Sequence, residues 1–262
     1  MRRTFSLFSA AVVASFCVTS AQQTQPDQEV SFPGAGGLTL HGTLLVPVAK
    51  QDKAVGVLLL PGSGPTDRNG NQPPALLSDL LKQIAERLAG EGYVSLRFDK
   101  RAARTYAPDW PKDAAEQADF FSWDAFLGDA KAGLRYLQSQ AEVDPLRTIV
   151  LGHSEGALIA MQIGADLANK AGAPAGLILL SVPGRTGAVI LREQVSANLK
   201  RAGLAADAVR PYTDYVDLAI TQILRDGSVP PNPPAGLGAL FPRSAIKLLQ
   251  VELRLDPAKV LP

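Results

Sequence analysis

One pattern restricts the fold of this chain more than any other. Uninterrupted apolar runs of strand length alternate with amphipathic stretches of helical length, joined by short loops. The clearest run is Ala54-Val55-Gly56-Val57-Leu58-Leu59-Leu60, which passes directly into Pro61-Gly62-Ser63-Gly64-Pro65. A strand with no polar face is expected in a parallel sheet covered on both sides. Residues 75–88 carry Leu76, Leu77, Leu80, Leu81, Ile84 and Leu88 at helical spacing, with Gly90 as the stop. Strand 93–98, a loop over 99–121 and a helix over 122–140 follow, the last with Ser122 as N-cap. Then come strand 148–151, helix 155–171 and strand 176–180. Upstream, Val30-Ser31-Phe32 and residues 38–46 flank Gly34-Ala35-Gly36-Gly37 and read as an antiparallel pair. The alternation predicts an α/β fold, a mostly parallel sheet with helices on both faces. After Ser181 the strands stop. Helical stretches at 188–202, 211–224 and 244–255, broken by the proline-rich 228–234, read as an insertion over the sheet.

Lys+Arg 26 against Asp+Glu 25 leaves a net charge of +1. No long-range field would gather phosphates, so nucleic acid and polybasic membrane binding are excluded as partners. The chain opens with Met1-Arg2-Arg3, an uncharged apolar run over 5–18, Thr19-Ser20-Ala21 and a polar stretch. That order predicts a signal peptide over 1–21 and an exported protein, periplasmic or extracellular. The run falls short of the ~20 residues that span a bilayer, so no stable membrane insertion is expected after cleavage. Cys17, the single cysteine, lies within it after Phe16, a poor fit to a lipoprotein site. Its removal would exclude disulfides, thiol catalysis and thiolate zinc sites.

Chemistry concentrates at Gly152-His153-Ser154-Glu155-Gly156, between a predicted strand and a predicted helix. This is G-x-S-x-G in the context that makes it a nucleophile elbow, with Ser154 exposed at the carboxyl end of the sheet. Helix N-terminal amides there favour developing negative charge. In α/β-hydrolases the loop after an earlier strand supplies one oxyanion amide and the residue after the nucleophile the other. By position these are the backbone N–H groups of Ser63 and Glu155. Two rival readings of the first loop fit less well. As a dinucleotide loop, Gly62-x-Gly64 lacks its third glycine, and Pro65 removes an amide. As a calcium loop, Asp67-Arg68-Asn69-Gly70-Asn71 is followed by Gln72 where glycine is needed, and Ser78 stands where a bidentate Glu belongs. No cofactor and no metal are expected. Asp99, Lys100 and Arg101 read first as an ion-pair network holding a loop, with substrate contact the alternative, and Asp67 and Arg68 read first as scaffolding.

Three blocks together, Gly62-Ser63-Gly64-Pro65-Thr66-Asp67-Arg68-Asn69-Gly70-Asn71, Arg97-Phe98-Asp99-Lys100-Arg101 and residues 152–156, resemble the bacterial serine esterases of the α/β-hydrolase superfamily in order and spacing. The resemblance spans about 30–262, and Ser181-Val182-Pro183-Gly184-Arg185 is similar to the entry into that family's helical cap. It departs at Ala102-Ala103-Arg104, where relatives continue with glycine-rich residues. The implied organisation is a core over 29–182, a cap insertion over 183–258 and the start of further core at 259–262. The implied function is carboxylic ester hydrolysis through an acyl-enzyme on Ser154, with a small-molecule ester or acyl compound as substrate. A peptidase or thioesterase of the same fold uses the same nucleophile.

The resemblance also implies an acid and a histidine after the nucleophile, in that order. No histidine follows Ser154. His41 sits on the N-terminal β-pair, away from the catalytic edge, and His153 occupies the x position of the elbow, directed away from Ser154. The triad acid and base are therefore expected to be absent from the chain, together with the last strands of the sheet. A truncated hydrolase, inactive as it stands, is the first expectation. A pseudo-hydrolase that binds acyl ligands without turnover is the alternative.

Overall fold

The computed structural model describes residues 27–48 and 53–260, so the expected signal segment, with Cys17, lies outside the described residues. Six strands form one sheet: β1 (Gln28–Pro33), β2 (Thr39–Leu45), β3 (Ala54–Leu60), β4 (Val94–Phe98), β5 (Val143–His153) and β6 (Gly176–Leu180), in the order β1-β2-β4-β3-β5-β6. β1 and β2 pair antiparallel, as do β2 and β4, and β4, β3, β5 and β6 run parallel. The mostly parallel sheet predicted from the apolar runs is therefore present, with an antiparallel hairpin on one side.

The pleat sorts the side chains of β3 to opposite faces. Leu58 and Leu60 join Leu96, Phe98 and Val150 in the main core, beneath α3 (Trp123–Gln138) and α4 (Glu155–Leu167). Val57 and Leu59 join Leu45 and Leu151 on the other face, against Ala85 and Ala89 of α1 (Leu80–Gly90). Each fully buried leucine contributes about 1.5–3 kcal/mol by leaving water. β3 can be apolar throughout because it has no solvent side, the arrangement expected of an α/β fold.

Two local expectations are corrected. Helix α1 starts at Leu80 rather than at residue 75. Gln72 and Leu76 exchange backbone bonds of 2.8 and 3.0 Å, and the Asn71 carboxamide takes both the side chain and the amide of Asp79 at 2.7 and 2.8 Å. Those bonds hold 72–79 in a turn and leave Leu77 at 71% exposure. The loop expected over 99–121 contains α2 (Ala114–Phe120), capped by Asp113, which accepts from the amides of Ala115 and Glu116. Ser122 caps α3 as expected, accepting from Ala125.

Beyond β6 the chain is helical: α5 (Gly187–Arg201), α6 (Ala206–Asp226) and α7 (Ile246–Arg254), closed by a 3-10 turn at Pro257–Lys259. Val195, Val216, Ala219, Ile223, Phe241 and Leu253 make a small core of their own, while Leu248 of α7 joins the main core. No described helix is long and apolar enough to cross a membrane.

Charged residues after β4 tie the layers together. Arg101 grips Asp129 of α3 at 2.6 and 2.7 Å and also donates to the carbonyls of Ala35 and Phe120. Both partners are buried, at 3% and 2% side-chain exposure. Removing one member of such a pair leaves the other charge buried without compensation. Asp129→Ala is therefore expected to lower unfolding stability by about 3–5 kcal/mol, read by urea denaturation. Asp119→Ala, which breaks an exposed pair with Lys247, should stay within about 1 kcal/mol.

Candidate active site

β5 ends at His153 and α4 begins at Glu155, so Ser154 alone turns the chain. Its φ of 53° with ψ of −114° lies in a region that side chains disfavour, at a cost of about 1–3 kcal/mol. The turn is so tight that a Cβ on Gly152 would stand 2.1 Å from the carbonyl oxygen of Gly156. A Cβ on Gly156 would meet the carbonyl oxygens of Leu60 and Pro61 at 2.5 and 2.6 Å. Both glycines of the pentapeptide are thus required by backbone contact. The second contact also presses the elbow onto the loop that follows β3.

That loop is oriented by its carbonyls. Gly62 O accepts from Lys100 Nζ and Thr66 Oγ1, both at 3.3 Å, and Ser63 O accepts from Gln72 Nε2 at 2.6 Å and Thr66 Oγ1 at 3.0 Å. Because a trans peptide sets C=O and N–H opposite, fixing Gly62 O aims the Ser63 amide away from Lys100. On the other side, Ser154 O accepts from Ala157 and Leu158 within the helix, which directs the Glu155 amide outward past the N-terminus of α4. Neither amide has a protein acceptor among the described residues. Free backbone donors of this kind can stabilise an oxyanion when one is brought against them.

Ser63 and Glu155 line a cavity of about 700 Å³. Its apolar walls include Ala102, Trp110, Phe121, Phe126 and Leu248; Ser154 itself is outside the lining. The Ala102-Ala103-Arg104 departure is accommodated by a 3-10 turn over Arg104–Asp109, with Ala103 and Tyr106 buried. Tyr106 accepts from the His41 amide at 2.7 Å, and burial pushes its phenol up to about 12.

The ion-pair reading of the second block divides in two. Asp99 accepts three bonds from Arg68, and Arg101 holds Asp129, both scaffold roles. Lys100 instead reaches the cavity, pairing with the buried Glu155 carboxylate over the face of Phe126 at 4.5 Å. A residue that sequence reasoning missed completes this cluster. Glu252 of α7 lines the same cavity; desolvation first, then the neighbouring Glu155 carboxylate, raises its pKa to about 9. A signal was present: Ala245, Leu248, Leu249 and Glu252 share one helical face, and the single acid on it is conspicuous.

In the 67–71 loop, Asp67 Oδ1 accepts from the amides of Asn69 and Asn71, and Asn69 Oδ1 accepts from Arg97. Its oxygens thus hold the loop. No cluster of three His, Cys, Asp or Glu suited to a metal occurs among the described residues.

His41 was expected away from the catalytic edge, yet its carbonyl accepts from the Asp99 amide, level with the carboxyl end of β4. It remains remote sideways. β2 is three strand spacings from β5, about 14 Å. His153 closes β5, and its Nδ1 lies 3.2 Å from where a Cβ on Gly62 would stand, so it packs against the loop after β3.

No protein-family model matches the chain, and no curated protein matches it. Similar solved structures include a bacterial heroin esterase, at 18% identity over 64% of this chain and 48% of that one with a TM-score of 0.47. The esterase Est22 is similar at 18% identity over 63% of this chain and 48% of that one, with a TM-score of 0.45. A hypothetical protein PA2218 from Pseudomonas Aeruginosa is similar at 16% over 75% and 64%, with a TM-score of 0.46. The chain spans about half the length of the first of these. The sheet is mostly parallel, helices cover both of its faces, and Ser154 stands at a strand-turn-helix.

The backbone contact at Gly156 is open to direct measurement. Gly156→Ala is expected to destabilise by about 1–3 kcal/mol or more through overpacking against Leu60 and Pro61. Gly176→Ala, with open space around it, should be near neutral by thermal melting. Equal melting temperatures for the two variants would show that the elbow is looser than described.

Proposed function

We propose that the chain carries the nucleophile and oxyanion hole of a carboxylic ester hydrolase. Ser154 Oγ attacks an ester carbonyl, the alcohol leaves, and an acyl-serine forms that water then hydrolyses. The amides of Ser63 and Glu155 hold the developing oxyanion. The observation that supports this reading is the strained Ser154 at the strand-turn-helix, with the amides of Ser63 and Glu155 lacking a protein acceptor among the described residues. Export to the periplasm or the cell exterior, expected from residues 1–21, belongs to the same proposal.

The reading lacks a base. No histidine follows Ser154 in the sequence, His41 lies on β2 and His153 packs against the loop after β3, and loss of a triad histidine costs about 10⁶-fold in turnover. A second reading, retention of acyl ligands without turnover, is favoured by the apolar cavity beside the oxyanion amides. Peptide or thioester carbonyls would meet the same nucleophile.

Hydrolysis of p-nitrophenyl acetate with and without added imidazole tests the proposal. The chain alone is expected near the background rate. Imidazole, as an external base, should add an increment that Ser154→Ala removes. An increment unchanged in Ser154→Ala would overturn the nucleophile assignment. Saturable ligand binding with no Ser154-dependent increment would favour the second reading.

A further inference from the structure

The cavity lined by Ser63 and Glu155 has two distinct ends. Helix α7 and its N-cap lay Ala245, Leu248, Leu249 and Glu252 along it, positions that share one helical face. The Glu252 end lies by Glu155, at the N-terminus of α4. The opposite end of α7 lies by α2: Lys247 pairs with Asp119, and Gln117 and Phe121 line the cavity there. Seven helical residues advance about 10 Å, so the cavity extends about that far from Glu155. Its charged lining residues, Lys100, Glu155 and Glu252, all stand at the first end. Beyond them the walls are mainly apolar.

Width separates the possible occupants. A volume of about 700 Å³ over that length gives a cross-section several times that of one extended hydrocarbon chain. Such a chain would leave most of the wall without contacts, and unfilled apolar space forfeits dispersion attraction. A cavity of this size suits a ring-bearing compound. The aromatic part of the wall is also fixed in advance. Trp110 donates its indole N–H to Arg101 O at 3.1 Å and meets Phe121 edge-on at 5.5 Å. Phe121 in turn meets Phe120 edge-on at 4.9 Å. Fixed rings favour a rigid, flat ligand, which has little internal freedom to lose on binding. Aromatic pairing adds to the burial of apolar surface.

We propose that the cavity selects esters whose acyl group is a large, rigid, uncharged ring system of about naphthyl size, over acetyl and straight-chain acyl groups, with Trp110 and Ala245 as specificity-determining residues. The ester carbonyl lies at the Glu155 end, and the rings fill the space bounded by Trp110, Phe121 and α7. Trp110 supplies a fixed aromatic surface. Ala245 is the smallest side chain on the α7 face and keeps the α2 end wide. The position of the carbonyl rests on the esterase reading of Ser154, yet the test needs no turnover.

Equilibrium dialysis of the 262-residue protein measures binding of methyl naphthalene-2-carboxylate, methyl octanoate and methyl acetate. The naphthyl ester is expected to bind about tenfold or more tightly than the octanoate. The acetate, with far less apolar surface to bury, should be weaker than the octanoate by about a hundredfold or more. Trp110→Ala should weaken the naphthyl ester about tenfold and the octanoate much less. Ala245→Phe, which narrows the α2 end, should also weaken the naphthyl ester selectively, and circular dichroism reports whether each variant keeps the fold. Equal or tighter binding of the octanoate would overturn the proposal, as would naphthyl ester binding that neither folded variant alters. Ser154→Ala is expected to keep the ring preference. Ring-selective binding without Ser154-dependent hydrolysis would sink the esterase reading alone, whereas Ser154-dependent hydrolysis without ring preference would sink only the substrate assignment.

Discussion

The backbone of Gly156 packs against the carbonyls of Leu60 and Pro61 at a distance that admits no side chain. Most of the candidate site depends on that contact. It places the N-terminus of α4 beside the loop after β3, and Ser63 and Glu155 line one cavity. The contact exists because β3 and β5 are parallel neighbours whose carboxyl ends finish level, with Leu60 opposite Gly152. Sheet register, a property of the whole core, thereby sets how the elbow meets the loop after β3.

Around this contact the charged residues have separate tasks despite being consecutive. Asp99 fastens the 67–71 loop through Arg68, and Arg101 fastens α3 through Asp129. Lys100, between them, supports Gly62 from beneath and Glu155 from the side. Residues leaving the end of a strand point in different directions, so one short block serves three neighbours. Buried charges of this kind add little net stability compared with apolar packing. They make the loop geometry difficult to vary.

Local features were legible in the sequence where short-range geometry decides them. The elbow, the doubly buried β3, strand β6 and the Ser122 cap each follow from a few adjacent residues. The start of α1 was not legible by periodicity. Leu76 and Leu77 continue the helical spacing, but Asn71 and Asp79 tie the backbone into a turn, and bonds between side chain and backbone outcompete the helix there. Helix α2 had a visible cap in Asp113, within a stretch whose weak apolar pattern hid it. Glu252 meets Glu155 across almost a hundred residues of sequence, and nothing local announces such a meeting beyond one acid on an apolar face.

Trp110 has a role that its packing does not suggest. Its indole N–H donates to Arg101 O at 3.1 Å, its ring meets Phe121 edge-on, and it lines the cavity. The chain's other tryptophan, Trp123, is buried in the main core at the start of α3. The protein thus contains two tryptophans in different surroundings, one reporting occupancy of the cavity and the other integrity of the core. Their emission separates loss of a ligand from loss of the fold within a single unlabelled sample.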